Sequence, residues 1–68
     1  MNKITEDIII EVLRKLNGFD LIIFYMKIEK GLSYQKMTNY LAMSHNALFK
    51  RMKKIYKMIE DRINEQQS

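Results

Sequence analysis

Residues 31–51, with the sequence GLSYQKMTNYLAMSHNALFKR, contain the pattern that decides the fold. Ser33 and Ser44 are suitable helix N-caps, because a serine hydroxyl can accept a hydrogen bond from a backbone N–H group of the first helical turn. Apolar residues at helical spacing follow each serine. The pattern predicts a short helix over residues 34–41, a tight turn, and a long helix that ends near residue 64. The apolar side chains expected to hold these helices together are Met37, Leu41, Met43, Leu48 and Met52, with Tyr40 on the same inner face.

A helix is predicted at the start of the chain, over about residues 5–16. Thr5 is a suitable N-cap, and the pair Asn17-Gly18 is suited to end the helix, since glycine adopts a left-handed conformation at low cost. The side chains expected to face inward on this helix are Ile9, Val12, Leu13 and Leu16.

A further helix is predicted over about residues 20–30, with Asp20 as its N-cap and Gly31 after its end. Its middle is apolar on all sides, which is typical of the central helix of a small bundle. A buried strand is the other interpretation, but a single strand could not satisfy its backbone groups. The chain is therefore predicted to be all-α, a three- to four-helix bundle with a long C-terminal helix.

Length and composition limit the classes of function. The 68 residues are expected to form one domain over residues 1–68, with the two-helix motif at about 33–55 and a frayed tail at 65–68. Without cysteine and with a single histidine, neither a disulfide framework nor a metal site is expected, and no cofactor is indicated. No targeting segment is evident, and the apolar run at 21–26 is too short to cross a membrane. We expect a soluble cytoplasmic protein.

Charge is segregated along the chain. The formal net charge is +4, and no acidic residue lies between Glu29 and Glu60. On the last helix, the lysines fall on the side opposite the apolar residues Leu48, Met52, Ile55 and Ile59. A segment with charges of one sign sets up a positive field that suits DNA phosphates. The basic residues of this segment are Lys30, Lys36, Lys50, Arg51, Lys53, Lys54 and Lys57.

The motifs GLSYQKMT at 31–38, LAMS at 41–44 and ALFKR at 47–51 resemble a known family. They are similar to the helix-turn-helix DNA-binding domain of bacterial sigma factors (sigma-70 region 4), and they share much with LuxR-like output domains. The likeness extends over about residues 19–59. It departs from the family at Lys36, where the family has an acidic residue, and at Ala42, where it has glycine. The chain resembles a free-standing version of the module, of a kind that suits a phage or mobile element.

The resemblance implies a transcriptional regulator whose recognition helix, about residues 45–57, enters the major groove of double-stranded DNA. The positions that correspond to base-reading residues are His45, Asn46, Phe49 and Lys50. The positions expected to contact phosphate are Ser33, Tyr34, Gln35, Ser44, Lys53, Lys54 and Lys57.

Other interpretations remain open at this point. His45 can be merely a polar residue of the first turn, Phe49 and Tyr56 can pack at the rim of the core, and Tyr34 can pack under Lys36.

The fold could also serve as a protein-interaction module for RNA polymerase, a sigma factor or another regulator. The chain has more apolar surface than a bundle of this size can bury, which favours a homodimer. A peripheral membrane helix is a weaker alternative, and no catalytic set of residues is evident.

Overall fold

The computed structural model describes residues 3–67 and shows an all-helical chain. Helix α1 spans Lys3–Lys15, and α2 spans Gly18–Phe24 and continues directly into one π-helical turn, Tyr25–Glu29. Helix α3 spans Tyr34–Tyr40, and α4 spans His45–Gln67. The described residues contain no β-strand. The predicted all-α class, with three to four helices, is therefore confirmed.

Helix α1 differs from its prediction at its start and on its inner face. It already includes Lys3, so the prediction that Thr5 caps it is wrong. Its buried side chains are Ile8 and Val12, whereas Ile9 is only partly buried. Residues 8, 9 and 10 are all isoleucine, so helical periodicity could not select the one that faces inward.

Asn17 rather than Asp20 caps α2, so the prediction for Asp20 is wrong. The Asn17 Oδ1 atom accepts a hydrogen bond of 2.8 Å from the backbone N–H group of Asp20. The Asp20 carboxylate points inward and accepts a hydrogen bond from the Arg51 guanidinium at 2.8 Å. Gly18 is the first residue of α2 and does not end α1 in a left-handed conformation, because Gly31 alone has a positive φ among the described residues.

The π-helical turn ends at Glu29, and Gly31 follows the end of this helical segment, as predicted. The backbone N–H group of Lys30 donates to the Tyr25 carbonyl at 3.1 Å, a bond that spans five residues instead of the usual four. Gly31 then has a φ of +67°, a left-handed conformation that glycine adopts without steric cost. The chain can therefore turn sharply from the π turn towards α3.

The prediction that this second helix is the central one is wrong. On α2 only Ile23 and Asp20 are buried, and α2 packs against α4 at the edge of the bundle. Four large apolar side chains on the outward side are 38–51% exposed. We call these residues, Leu21, Ile22, Tyr25 and Ile28, the α2 stripe. The central helix is α4, which contacts α1, α2 and α3.

The serine caps of α3 and α4 are confirmed. The Ser33 hydroxyl accepts a hydrogen bond from the Lys36 N–H group at 3.2 Å, and the Ser44 hydroxyl accepts one from the Ala47 N–H group at 3.1 Å. Tyr40, however, is 71% exposed, so its predicted inward position is wrong. The chain leaves the helix directly after Tyr40, and no neighbouring described element covers its ring.

Helix α4 is nearly as long as the molecule. Its 23 residues correspond to about 34 Å, and the longest dimension of the structure is 40 Å. The helix continues past its predicted end near residue 64 as far as Gln67, so residues 65–67 are helical rather than frayed. Residue 68 of the predicted tail lies outside the described residues.

The core lies where α2, α3 and α4 meet. All five predicted locking residues contribute to it, which confirms that prediction. Its buried side chains are Ile23, Met37, Leu48, Met52 and Ile55, and Leu41 and Met43 are among those packed against them.

Arg62 joins α1 to the C-terminal half of α4. Its guanidinium donates to the Glu11 carboxylate at 2.6 and 3.3 Å and to Glu65 at 2.6 Å. The hydrogen bond from Arg62 lowers the pKa of the Glu11 carboxyl. The hydrogen bonds to Glu11 and Glu65 in turn raise the pKa of Arg62.

Candidate nucleic-acid interface

One side of α4 is exposed and basic over about two helical turns. Its four lysines lie on the side of the helix that faces away from Leu48, Met52 and Ile55, as the helical periodicity predicts. We call these residues, Lys50, Lys53, Lys54 and Lys57, the lysine face. Because α4 is central and its core side is fully covered, this face is held rigidly in a direction open to solvent.

The positive charge of the lysine face is only weakly compensated. Within residues 3–67 the one ion pair on it joins Lys57 to Asp61 at 3.7 Å, and both side chains are more than half exposed. Such a pair between residues i and i+4 contributes only a few tenths of a kcal/mol (about 0.3–0.5) in water. A phosphate group could therefore displace Asp61 at little cost.

Arg51 lies within the basic segment but is not part of the lysine face. Its guanidinium is 2.8 Å from the Asp20 carboxylate and lies 5.3 Å from the centre of the Phe19 ring. The Asp20 side chain is only 13% exposed, so the pair is partly withdrawn from water. Arg51 therefore fixes α2 against α4, a role that the sequence prediction missed. The available signal was its place on the α4 wheel, near the core side and away from the lysines.

The first turn of α4 presents polar groups to solvent. His45 and Asn46 are both exposed, directly after the Ser44 cap. Ser44 and Ser33 each accept a backbone hydrogen bond as caps, and each hydroxyl retains its own hydrogen for donation. Gln35, in the first turn of α3, is also exposed. These predicted contact residues are thus accessible, and they lie at the two capped helix starts.

Tyr34 connects these two helix starts through ring contacts. Its ring meets His45 at a centroid distance of 5.2 Å and Phe49 at 6.0 Å, both edge to face. The ammonium above the ring belongs to Lys27, at 4.7 Å from the centroid, so the proposed packing under Lys36 is wrong. Burial, with a smaller contribution from nearby Tyr56, raises the pKa of the Tyr34 hydroxyl.

A groove lies beside the lysine face. It has a volume of about 310 Å³ and is lined by Tyr34, Phe49, Tyr56, Lys53, Lys57 and Glu60. Phe49 packs against Tyr34, yet half of its side chain remains exposed. Both interpretations of Phe49 are therefore represented: it packs at the rim of the core, and it is also accessible beside Lys53.

The described residues show neither a metal site nor a membrane-spanning helix. They contain no group of three or more His, Cys, Asp or Glu residues that could hold a metal ion. No helix in this part of the chain combines the length and the apolar character that a membrane crossing requires.

Comparisons with protein-family models, with curated proteins and with solved structures give no match for this chain.

Proposed function

We propose that the chain is a sequence-specific DNA-binding transcriptional regulator that acts through a helix-turn-helix formed by α3 and α4. The observation that carries the proposal is the lysine face, a set of exposed cations on the outer side of a long helix. The segment between Glu29 and Glu60 contains no acidic residue that would neutralise it. The resemblance of the chain to sigma-70 region 4 supports the same function. We propose that the protein acts in the cytoplasm.

The proposed docking places the N-terminal half of α4 in the major groove. The Ser44 cap leaves the side chains of His45 and Asn46 exposed at the front of the helix, where base edges would lie. Asn46 suits adenine, to which an amide can form two hydrogen bonds, and Lys50 suits guanine. Lys53, Lys54 and Lys57 lie further along the helix, where the groove gives way to phosphates.

The start of α3 would then anchor the protein on the DNA backbone. Ser33, Tyr34 and Gln35 begin this helix, and Tyr34 touches the side chains of His45 and Phe49 on α4. Contact between these rings fixes the two helix starts relative to one another. Phosphate contacts from α3 would therefore set the angle at which α4 enters the groove.

The salt dependence of binding tests this proposal. If three or four phosphates are neutralised, the logarithm of the association constant should fall against the logarithm of salt concentration with a slope of roughly −3 to −4. The substitution Lys53→Gln should reduce the steepness by about 1, because it removes one phosphate contact. The matched control Lys3→Gln, on α1, should leave the slope unchanged. The DNA site would first be selected from a random pool, and an affinity that does not respond to salt would contradict the proposal.

A second candidate function is a protein-interaction module for RNA polymerase, a sigma factor or another regulator. The exposed α2 stripe favours it, because a contiguous apolar surface of this kind is typical of protein contacts. This function requires tight binding to purified polymerase or sigma factor after nuclease treatment, together with weak DNA binding that shows no sequence preference. Titration of the chain with each purified partner, and with selected against scrambled DNA, separates the two candidates.

A further inference from the structure

The groove beside the lysine face combines aromatic rings with charges of both signs. Its volume of about 310 Å³ is at the small end of the usual range for ligand pockets, roughly 300–1,000 Å³. We call it the aromatic groove, and its lining residues are Tyr34, Phe49, Lys53, Tyr56, Lys57 and Glu60. The proposed DNA docking uses both lysines but gives no role to Tyr56 or Glu60. The lining is therefore richer than phosphate contacts alone require.

The aromatic groove has exposed surface to which a flat ring can bind. Phe49 is 50% exposed and Tyr56 is 43% exposed, so each ring packs only part of its surface against the protein. Tyr34 contacts Phe49 edge to face at a centroid distance of 6.0 Å. Aromatic side chains that are half open to solvent are suited to stacking against a planar ligand.

Two ammonium groups of the aromatic groove are available to an anion. Lys53 forms no ion pair within residues 3–67, and Lys57 pairs only with the exposed Asp61, at 3.7 Å. A phosphate monoester carries a charge of about −1.5 to −2 at pH 7, which these two cations can balance. The groove therefore suits a ligand that joins a flat ring to one phosphate group.

Glu60 restricts the ligand further, because it places a carboxylate at the other end of the groove. It is exposed and forms no ion pair within residues 3–67. Seven residues separate it from Lys53, or about 10 Å along the helix axis, with Tyr56 between them. A carboxylate accepts hydrogen bonds through two oxygens side by side. The ring of the ligand should therefore carry two adjacent N–H donors on the edge away from its phosphate.

We propose that the aromatic groove binds a guanine mononucleotide. The base stacks on Tyr56, and the phosphate lies between Lys53 and Lys57. The Glu60 carboxylate accepts hydrogen bonds from the ring N–H group and the amino group of guanine. Guanine is the one common nucleobase whose pairing edge carries two adjacent donors. Adenine and cytosine place an acceptor nitrogen beside their amino group, and that nitrogen would repel the carboxylate.

Titration of the isotope-labelled chain with GMP, followed by NMR without DNA, measures this binding directly. The ring protons of Tyr34, Phe49 and Tyr56 should shift together with a single Kd, on the order of 0.1–1 mM, because a stacked base adds its ring current. AMP should bind about fivefold more weakly than GMP, and so should IMP, which lacks the amino group. Inorganic phosphate should compete only at much higher concentration.

Two substitutions test the ring and the carboxylate. Tyr56→Leu should raise the Kd for GMP about tenfold, whereas the matched control Tyr25→Leu, at a 51% exposed ring of the π turn, should leave it unchanged. Glu60→Gln should abolish the preference for GMP over AMP, because an amide can both donate and accept. The matched control Glu29→Gln, at an exposed carboxylate that does not line the groove, should retain the preference. Circular dichroism would verify that the four variants remain helical.

A bound nucleotide would also cover two of the four cations of the lysine face, a consequence that rests on the proposed function. GMP should therefore weaken the DNA binding of the parent chain more than that of Tyr56→Leu. Lys54→Gln, outside the groove, should weaken DNA binding and leave the Kd for GMP unchanged. If the chain binds GMP but not DNA, the proposed function fails and the nucleotide site stands.

Three results would overturn the nucleotide site. One is the absence of ring-proton shifts at GMP concentrations up to about 10 mM. Another is equal affinity for GMP, IMP and AMP, which would remove the role of Glu60. The third is equally effective competition by inorganic phosphate, which would leave a site for anions alone.

Discussion

The outer sides of α4 and of α2 with its π turn are opposite in chemistry, although their inner sides share one core. The outer side of α4 carries the four exposed lysines of the lysine face. The outer side of α2 carries the four half-exposed apolar residues of the α2 stripe. Burial in the core explains which residues occupy the inner sides of both helices, but it does not explain the residues of the outer sides. The two outer sides therefore suit different contacts: the proposed anionic surface for α4, and an apolar surface for α2.

The ion pair between Asp20 and Arg51 connects the two helices that carry these outer surfaces. Asp20 lies in the first turn of α2, close to the stripe, and Arg51 lies on α4 next to Lys50. The Asp20 side chain is 13% exposed and that of Arg51 is 44% exposed. Water could therefore solvate Arg51 after the loss of Asp20 more easily than it could solvate Asp20 after the loss of Arg51.

The largest effect on stability is expected from removing Arg51, the more exposed partner of the ion pair with Asp20. Arg51→Met should lower the free energy of unfolding by about 2 kcal/mol, because it leaves the Asp20 carboxylate buried without a counter-charge. This figure is below the usual cost for a fully buried pair, since Arg51 is partly solvated. Asp20→Asn should cost less, at about 1 kcal/mol, because the freed Arg51 can turn towards water. Urea unfolding of both variants measures the difference, and a greater cost for Asp20→Asn would contradict this account.

A smaller effect, confined to DNA affinity, is expected at the lysine face. Lys53→Glu should weaken DNA binding by at least about tenfold, or ~1.4 kcal/mol, because it removes one phosphate contact and adds a repulsive charge. Its unfolding free energy should change by less than about 0.5 kcal/mol, since Lys53 is exposed.

The control for this prediction is Lys3→Glu, which makes the same change of net charge on α1. Gel shifts beside circular dichroism would compare the two variants. If both lost affinity equally, the net charge of the protein rather than the lysine face would determine binding.

The smallest effect on stability is expected at the contact between Glu11 on α1 and Arg62 on α4. Arg62 lies on a side of α4 away from both outer surfaces. The pKa of Glu11 is lowered in the folded state, chiefly by the hydrogen bond from Arg62. A lowered folded-state pKa stabilises the protein above the unfolded value of about 4.5, and that stabilisation disappears as the pH falls through the folded value. Glu11→Gln should therefore slightly lower the Tm at neutral pH, and the difference from the parent chain should vanish in acid.

Thermal unfolding from pH 7 to pH 2 would follow this difference. Glu6→Gln is the control, because it removes an exposed carboxylate from the same helix without removing an arginine contact. A Tm difference for Glu11→Gln that persisted unchanged at the lowest pH would show that the contact stabilises by packing rather than by charge.

Sequence periodicity predicted α4 well and α2 poorly, for a physical reason. On α4, apolar residues alternate with charged ones at helical spacing, so Leu48, Met52 and Ile55 could be assigned to the core in advance. On α2 nearly every residue is apolar, so the pattern carries no information about which side faces inward. The same limitation applies to the isoleucines of α1, where the inward residue is Ile8.

For the helices after α1, caps were predictable where one hydroxyl stood alone, and not where two candidates competed. Ser33 and Ser44 each had no rival and were assigned correctly. Asn17 and Asp20 are both good caps, and in the structure Asn17 caps the helix while the Asp20 carboxylate is bound to Arg51, which lies 31 residues away along the chain. The exposure of His45 and Asn46 agreed with the predicted interface, but the ring contacts of Tyr34 arise from tertiary packing that spacing alone cannot reveal.

The π turn gives α2 an unusual tolerance to a change in chain length. Its hydrogen bond from Lys30 to Tyr25 encloses one residue more than a regular helical turn would enclose. Loss of one residue within Tyr25–Glu29 could be absorbed by closing that loop into an ordinary α-turn, with Gly31 still available for the bend. Helix α4 has no such π turn that could absorb a deletion. The loss of one residue within it would rotate every later side chain by about 100° around the helix axis. Homologous chains that differ by one residue should therefore carry the difference in this turn.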